Sequence, residues 1–331
     1  MDGAPLLEAR ILTKDFALRG KGPLAPRLGS LRAVDGVNLA LREGETLALV
    51  GESGCGKTTL ARTLALLYRP TRGEVLFRGR SVARLGRQDR KRVRRAIQVI
   101  FQDPFDSLDP RMTVSALIGE PLRIHREGTG TSRRARVREL MEAVGLAPSL
   151  ADRYPHELSG GQRQRVDIAR ALALEPRLIV ADEPVSALDV SVQSQVLNLM
   201  KDLKEALGLT VLFITHDLAV VDYVADRVAV MYLGAVVEIA PRAAFFAGPR
   251  HPYSRALVAA VPRLGRGKRV PGQTIGGEVP SLLNPPPGCP FHPRCPMARD
   301  LCRRVKPALE PVAGGAAGHL ASCHYKDEAP A

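Results

Sequence analysis

The chain has 331 residues, of which 45% are hydrophobic and 25% charged, the balance of an ordinary globular protein with length enough for two domains. Its longest apolar run, Val228 to Val237, is too short to cross a bilayer, and its opening stretch MDGAPLLEARILTKDF lacks the basic start and apolar core of a secretory signal, so a cytoplasmic protein is expected. The net charge of +14 suits nucleic acid, an anionic membrane surface or a phosphorylated ligand, but a solvated basic surface accounts for it equally well.

Along the chain, the first strand signal is TLALV (46–50), continuously apolar rather than alternating, as in a strand buried on both faces. It runs directly into GESGCGKTT (51–59), which fits G-x-x-x-x-G-K-[ST]. Gly51, Gly54 and Gly56 let the backbone curl so that its N–H groups face phosphate oxygens. Lys57 places a point charge at the β- and γ-phosphates, Thr58 is a Mg²⁺ ligand candidate, and the helix that follows adds its N-terminal partial charge. A dinucleotide fingerprint gives Lys57 and Thr58 no role, which disfavours that reading.

A basic run, RLGRQDRKRVRR (84–95), precedes the second strand signal QVIF (98–101) and lacks the aromatics that stack on bases. Between Asp103 and Gly161 the texture changes to Pro-containing loops and helical patterns, expected to form an inserted helical subdomain. LSGGQRQR (158–165) follows, a helix start with Ser159 as cap and bare N–H groups behind it. LIVADEP then sets Asp182 at a strand end, suited to hold Mg²⁺ through water, with Glu183 beside it to polarise an attacking water. The fourth strand signal, VLFIT (211–215), ends at His216. Helical patterns at 162–174 and 192–207 alternate with these strands, which predicts an α/β layered domain whose four strand ends converge on one site. From about His251 the chain is rich in Pro, Gly and Arg and is expected to be a separate extension.

The series of phosphate loop, Gln102, LSGGQ, LIVADEP, SALD (186–189) and His216 resembles, in order and spacing, the ATP-binding cassette (ABC) ATPases from about Leu6 to Pro262. The resemblance implies an α/β fold, a P-loop NTPase (RecA-like) core with an inserted helical subdomain and a small irregular C-terminal extension. On this sequence the core would be 1–102 and 162–250, the helical subdomain 103–161 and the extension 251–331. It implies that Gly51, Ser53, Gly54, Gly56, Lys57, Thr58 and Thr59 bind ATP. Mg²⁺ would be held through Thr58, Gln102 and Asp182, with Glu183, His216 and Gln102 catalytic and His216 touching the γ-phosphate. Ser159, Gly160, Gly161 and Gln162 would close over nucleotide held by an opposite subunit, and Asp189 would signal across that dimer. Phe16 is the candidate to stack on adenine; ALRGKGPLAPRLGSLRA, directly after it, looks like an insertion.

Closer still, GESGCGKTTLAR, FQDPFDSLDPRMTV, ADEPVSALDVSVQSQVLNLM and HPYSRALVAAVP resemble the ATP-binding subunits of oligopeptide and dipeptide importers, in particular the F-type subunit. That implies a peripheral ATPase on the cytoplasmic face of the membrane. Its partners would be a second, different ATPase, two permeases and an extracytoplasmic binding protein. Nickel importers share much of the pattern, so nickel or another solute stands as the alternative. A soluble ABC ATPase acting on nucleic acid is the reading from another class, and no nucleic-acid partner is expected.

Cys55 belongs to the phosphate loop and is expected only to pack there. Cys289, Cys295, Cys302 and Cys323 are spaced C-x5-C-x6-C-x20-C, wider than a zinc knuckle, and clustered thiols in a cytoplasmic chain point to a metal. Importer ATPases of this kind have a similar extension, some with a [4Fe–4S] cluster, which makes these four the cluster candidates. Zinc, with His292, His319 or His324 as substitute ligands, and uncoordinated thiols are the alternatives. The extension's basic character would let it rest on a permease or on anionic lipid.

Overall fold

The computed structural model describes residues 4–19, 27–103, 107–261 and 276–328. Residues 20–26 of the expected insertion, Pro104 to Asp106 of FQDPFDSLDPRMTV and residues 262–275 of the extension lie outside the described residues. The chain divides into two compact units, each assembled from separated stretches of sequence.

One unit takes Met1–Leu6, Leu41–Glu45 and Arg84–Ile214. Its strands Ile97–Ile100, Leu178–Asp182 and Thr210–Ile214 run parallel in that order, with Ile97 opposite Leu178 and Leu178 opposite Thr210. Every residue of LIVAD and TVLFI is buried, and burial on both faces is why these stretches read as unbroken apolar runs. The helices Val114–His125, Gly130–Ala143 and Gly160–Leu172 pack on one another. The first buries Val114, Leu117, Ile118 and Leu122, the single face that a spacing of three and four residues creates. Thr113 caps it by accepting the Ala116 amide, and Thr129 and Ser132 cap the second helix reciprocally. The basic run forms the helix Arg87–Ala96, which buries only Val93. Arg92 pairs with Asp89 at 3.2 Å and Arg95 with Glu127 at 2.5 Å.

The other unit takes Leu7–Ala40, Thr46–Ala83 and Thr215–Ala331. Strand Leu7–Arg19 pairs antiparallel with Arg72–Phe77, Leu7 opposite Phe77, with a bulge between Arg10 and Thr13. In its second sheet, Thr46–Val50 lies parallel to Arg227–Tyr232, which turns through Leu233 and Gly234 into the antiparallel strand Ala235–Pro241. The apolar run Val228 to Val237 is therefore a hairpin, broken by two residues of positive φ.

The C-terminal region shares this unit's core. Cys289, Phe291 and Cys302 are buried in the same cluster as Val50, Val228, Tyr232 and Tyr253. The short strand Leu320–Ala321 pairs with Ala235–Pro241, Leu320 opposite Ile239, and Glu310–Pro311 pairs beyond it. Glu238, fully buried, ties the pieces together by accepting the amides of Arg250 (2.7 Å) and His251 (2.8 Å) and the His319 Nε2 (2.7 Å). Burial pushes its carboxyl up, but the His319 bond and the two amides outweigh that and hold it below the usual range. His251 is driven down to about 4 by burial, so it is neutral and its Nδ1 accepts the Tyr253 amide at 3.1 Å.

Candidate functional site

In the unit holding Thr46–Val50, the strand ends at Gly51 and the loop closes at Gly56, the N-cap of helix Lys57–Leu64. Gly56 has φ 105°, and a Cβ there would lie 2.1 Å from the Ala33 carbonyl oxygen, so only glycine fits. No side chain caps this helix. Its first amides are therefore unclaimed by any side-chain cap, the arrangement that suits an anion. Lys57 is 5% exposed and its Nζ donates to the Gly51 (2.7 Å) and Glu52 (3.0 Å) carbonyls. Ser53 and Gly54 are exposed on the loop, Thr58 and Thr59 half-buried. Cys55 is buried, and burial pushes its thiol up, in keeping with a packing role.

In the same unit Phe16 is half-buried on strand Leu7–Arg19, edge-on to Tyr68 at 5.6 Å between ring centroids, with Lys14 Nζ 5.0 Å from its ring. His216 is exposed, just before the helix Leu218–Val224 that Asp217 caps.

The parallel-strand unit gathers another group. Asp182 is buried at the end of Leu178–Asp182. Glu183 follows with φ 48°, a conformation that costs a non-glycine residue on the order of 1–3 kcal/mol. Its amide donates to the Ile214 carbonyl (3.0 Å), its carbonyl accepts the Ser186 hydroxyl (3.0 Å), and these bonds hold the strained turn. Gln102 Nε2 donates to Glu183 Oε2 at 3.3 Å, so two predicted residues 81 positions apart meet. The backbone before Gln102 is anchored too: the Phe101 amide donates to Asp167, and Arg170 spans Asp167 (2.5 Å) and the Ser107 carbonyl (2.6 Å). Burial raises the Asp167 carboxyl in spite of Arg170. Asp167 and Arg170 lie on helix Gly160–Leu172, so one helix carries both the LSGGQ start and the Gln102 anchor.

At that helix start Ser159 Oγ accepts the Gln162 amide while Gln162 Oε1 accepts the Ser159 amide, a closed capping box. Gly161 is buried; a Cβ there would stand 2.5 Å from Val192 Cγ1. Exposed Asp189 caps helix Val190–Leu207 by accepting the Val192 amide at 3.0 Å.

Cys289, Cys295, Cys302 and Cys323 all line one narrow cavity. Burial pushes the Cys289 and Cys295 thiols up to about 11 and raises that of Cys323, and neighbouring thiols add to each shift. Among the described residues, however, no group of three or more His, Cys, Asp or Glu is placed to hold a metal. The substitute ligands are engaged elsewhere: His319 Nε2 with Glu238, His324 Nε2 with the Val305 carbonyl at 3.0 Å, and His292 Nδ1 with the Cys289 carbonyl at 2.9 Å. The four thiols thus share a space without converging as a ligand set, which does not match the metal-held clasp expected from the sequence.

Sequence reasoning missed three residues at the phosphate loop. Glu52 forms a double hydrogen bond with Arg294, and the Glu52 amide donates to the Tyr253 hydroxyl at 2.8 Å. In sequence Arg294 is one arginine among many in a Pro-rich tail, and only the HPY triplet around Tyr253 marked this region at all.

Residues 34–186 match the ABC transporter family, and residues 237–302 match the oligopeptide/dipeptide transporter C-terminal region. The oligopeptide transport ATP-binding protein AppF of Bacillus subtilis is 49% identical over 322 residues, covering 96% of this chain and 97% of that protein. Among solved structures, the dimeric ATP-binding cassette MJ0796, in a post-hydrolysis state with ADP and Pi, superposes with a TM-score of 0.63 at 33% identity. It covers 71% of this chain and 98% of its own. The cbiO1 subunit of the Clostridium perfringens cbiONQ transporter complex gives 0.63 at 27% identity, covering 74% and 92%. This chain belongs to the ATP-binding subunits of ABC transporters, in the group that carries the oligopeptide/dipeptide transporter C-terminal region.

Proposed function

We propose that this chain binds and hydrolyses ATP to energise the import of oligopeptides or dipeptides. One observation carries the peptide assignment: the oligopeptide/dipeptide-type C-terminal region is built into the same core as the phosphate loop, through Phe291, Tyr253 and Tyr232. In this reading Lys57 and the start of helix Lys57–Leu64 receive the triphosphate, and Thr58, Gln102 and Asp182 would hold Mg²⁺, which would supply charge neutralisation. Glu183 takes a proton from the attacking water, and Gln102, already hydrogen-bonded to that carboxylate, positions it. His216 contacts the γ-phosphate, and Phe16 stacks on adenine. Ser159 to Gln162 close over the nucleotide of a partner ATPase, with Asp189 at that dimer interface.

The partners are a second, different ATPase, two permeases and an extracytoplasmic binding protein. Among the described residues no helix is long and apolar enough to cross a membrane, which supports peripheral attachment to permeases at the cytoplasmic face. The domain limits proposed are 1–102 with 162–250 for the nucleotide core, 103–161 for the helical subdomain and 251–331 for the extension. A [4Fe–4S] cluster, with zinc as the alternative, would be held by Cys289, Cys295, Cys302 and Cys323. Their shared cavity supports it and the unconverged thiols count against it. Iron, zinc and acid-labile sulfide analysis after anaerobic purification decides between them.

The functional test is Glu183→Gln in the assembled transporter. Hydrolysis should fall at least about 100-fold, the lower end of a general base's contribution, with ATP still bound. Unchanged turnover would remove Glu183 from this role. Peptide uptake in vesicles, with nickel uptake measured alongside, tests the solute; uptake of nickel alone would replace peptide as the cargo.

A further inference from the structure

Glu52 puts a carboxylate inside a loop shaped to receive an anion. A free negative charge there would oppose a triphosphate, and the structure shows how it is dealt with. Arg294 grips Glu52 in a fork, Nη1 to Oε2 at 2.8 Å and Nη2 to Oε1 at 3.0 Å. The Arg294 side chain is 5% exposed and that of Glu52 26%, so the guanidinium is withdrawn from water while the carboxylate keeps part of its access. The guanidinium is itself fixed: Nη1 donates to the Tyr232 hydroxyl at 3.4 Å, and Nε donates to the Gly276 carbonyl at 3.1 Å. Its guanidinium carbon lies 5.9 Å from the Tyr232 ring centre.

Residue 52 is thereby held at three points. Arg294 takes the side chain, the Tyr253 hydroxyl accepts the amide, and Lys57 Nζ donates to the carbonyl. Two of these holds come from beyond His251, across as many as 242 positions of sequence. Arg294 ends the short helix His292–Arg294, whose neighbours Phe291 and Cys289 are buried against Tyr232 and Tyr253. The guanidinium is placed by that packing before any nucleotide arrives.

We propose that Arg294 is a positioning residue for ATP, supplied by the C-terminal region, which cancels the charge of Glu52 and fixes the curve of the phosphate loop. The inference rests on the reading of residues 51–59 as the ATP phosphate site. Mg-ATP binding to the full-length chain by titration calorimetry tests it, with KM and kcat measured in the assembled transporter. Arg294→Met, which keeps the apolar stem, should weaken binding about tenfold and raise KM by the same factor, with a smaller change in kcat. Arg294→Lys, with one charge but no fork, should recover part of that loss. Adding Glu52→Gln to Arg294→Met should restore affinity to within about threefold of the parent, because the carboxylate that needed cancelling is gone. A merely structural prop would show no such rescue. Binding by Arg294→Met within twofold of the parent, or a loss that Glu52→Gln leaves untouched, overturns the proposal. If Arg294→Met does not fold, the Arg294→Lys variant with and without Glu52→Gln carries the same comparison. Lys57→Ala separates the two levels. If it weakens binding by about tenfold or more while Arg294→Met binds normally, only this inference fails; if Lys57→Ala itself binds normally, the phosphate-site reading fails with it.

Discussion

Two helices in this chain begin at glycine-rich loops, and they treat their first amides in opposite ways. Helix Lys57–Leu64 starts at Gly56 in a left-handed conformation with no side-chain cap. Helix Gly160–Leu172 starts at Ser159, whose side chain and that of Gln162 cap each other's amides. At the first end Lys57 folds onto two carbonyls, and two remote residues add to it, Tyr253 on an amide and Arg294 on Glu52. The second is closed by residues within its own first turn. An anion can dock on the first without displacing a cap, whereas on the second it must compete with the capping box. That contrast suits a loop that holds nucleotide by itself and one that engages it only when a partner presents it.

The sharpest way to break the contrast is to remove the charge at the open end. Lys57→Ala should weaken Mg-ATP binding by about ten- to a hundredfold, the worth of a charge-assisted contact of roughly 1.5–3 kcal/mol. The same titration on isolated Ser159→Ala should move by less than about threefold. Equal losses in the two variants would erase the distinction.

The glycines give the next largest effect. Gly56→Ala forces a Cβ against the Ala33 carbonyl in a left-handed backbone and should cost at least about 2 kcal/mol in urea unfolding. Gly161→Ala meets the Val192 methyl at 2.5 Å but needs no left-handed backbone, and should cost less than Gly56→Ala. Ser159→Ala should lose about 1 kcal/mol of helix stability, and Ser159→Asp should keep most of it as an alternative cap. No loss on Ser159→Ala would mean the capping box contributes nothing.

A pH-dependent effect concerns the thiols of the C-terminal cavity. Burial pushes the Cys289 and Cys295 thiols up to about 11, against roughly 8.5 for a free thiol. A folded value raised in this way contributes stability that is complete below about pH 8.5 and is lost as pH rises toward 11. The urea midpoint should therefore drop between pH 8 and pH 10, and iodoacetamide labelling of Cys295 should quicken about tenfold per pH unit over that span. Labelling already fast at pH 7.5 would show the thiols to be exposed.

What the sequence makes legible is whatever a few consecutive residues decide. GESGCGKTT needs only a strand, a turn and a helix start, and LIVAD is readable because burial on both faces leaves no alternation. LSGGQ likewise contains its whole capping box. That Gln102 and Glu183 lie at one site was legible from two apolar strands ending beside them, but the hydrogen bond between residues 81 apart had no local signal. The Arg294 to Glu52 fork had no signal at all, because a single charge in an irregular tail carries no period. The extension also read as a region apart, for its apolar residues are scattered singly. Tertiary packing of Phe291, Cys289 and Cys302 is what joins them to the core.

The pairing of Leu320 with Ile239 bears on how the chain is made. Without Leu320–Ala321, strand Ala235–Pro241 would be an open edge on that side, and open edges are templates for pairing between chains. A nascent or truncated chain ending before Leu320 would carry that bare edge into a crowded cell. The strand Leu320–Ala321 covers that edge, and deleting residues 320–321 should lower soluble yield before it touches any catalytic group.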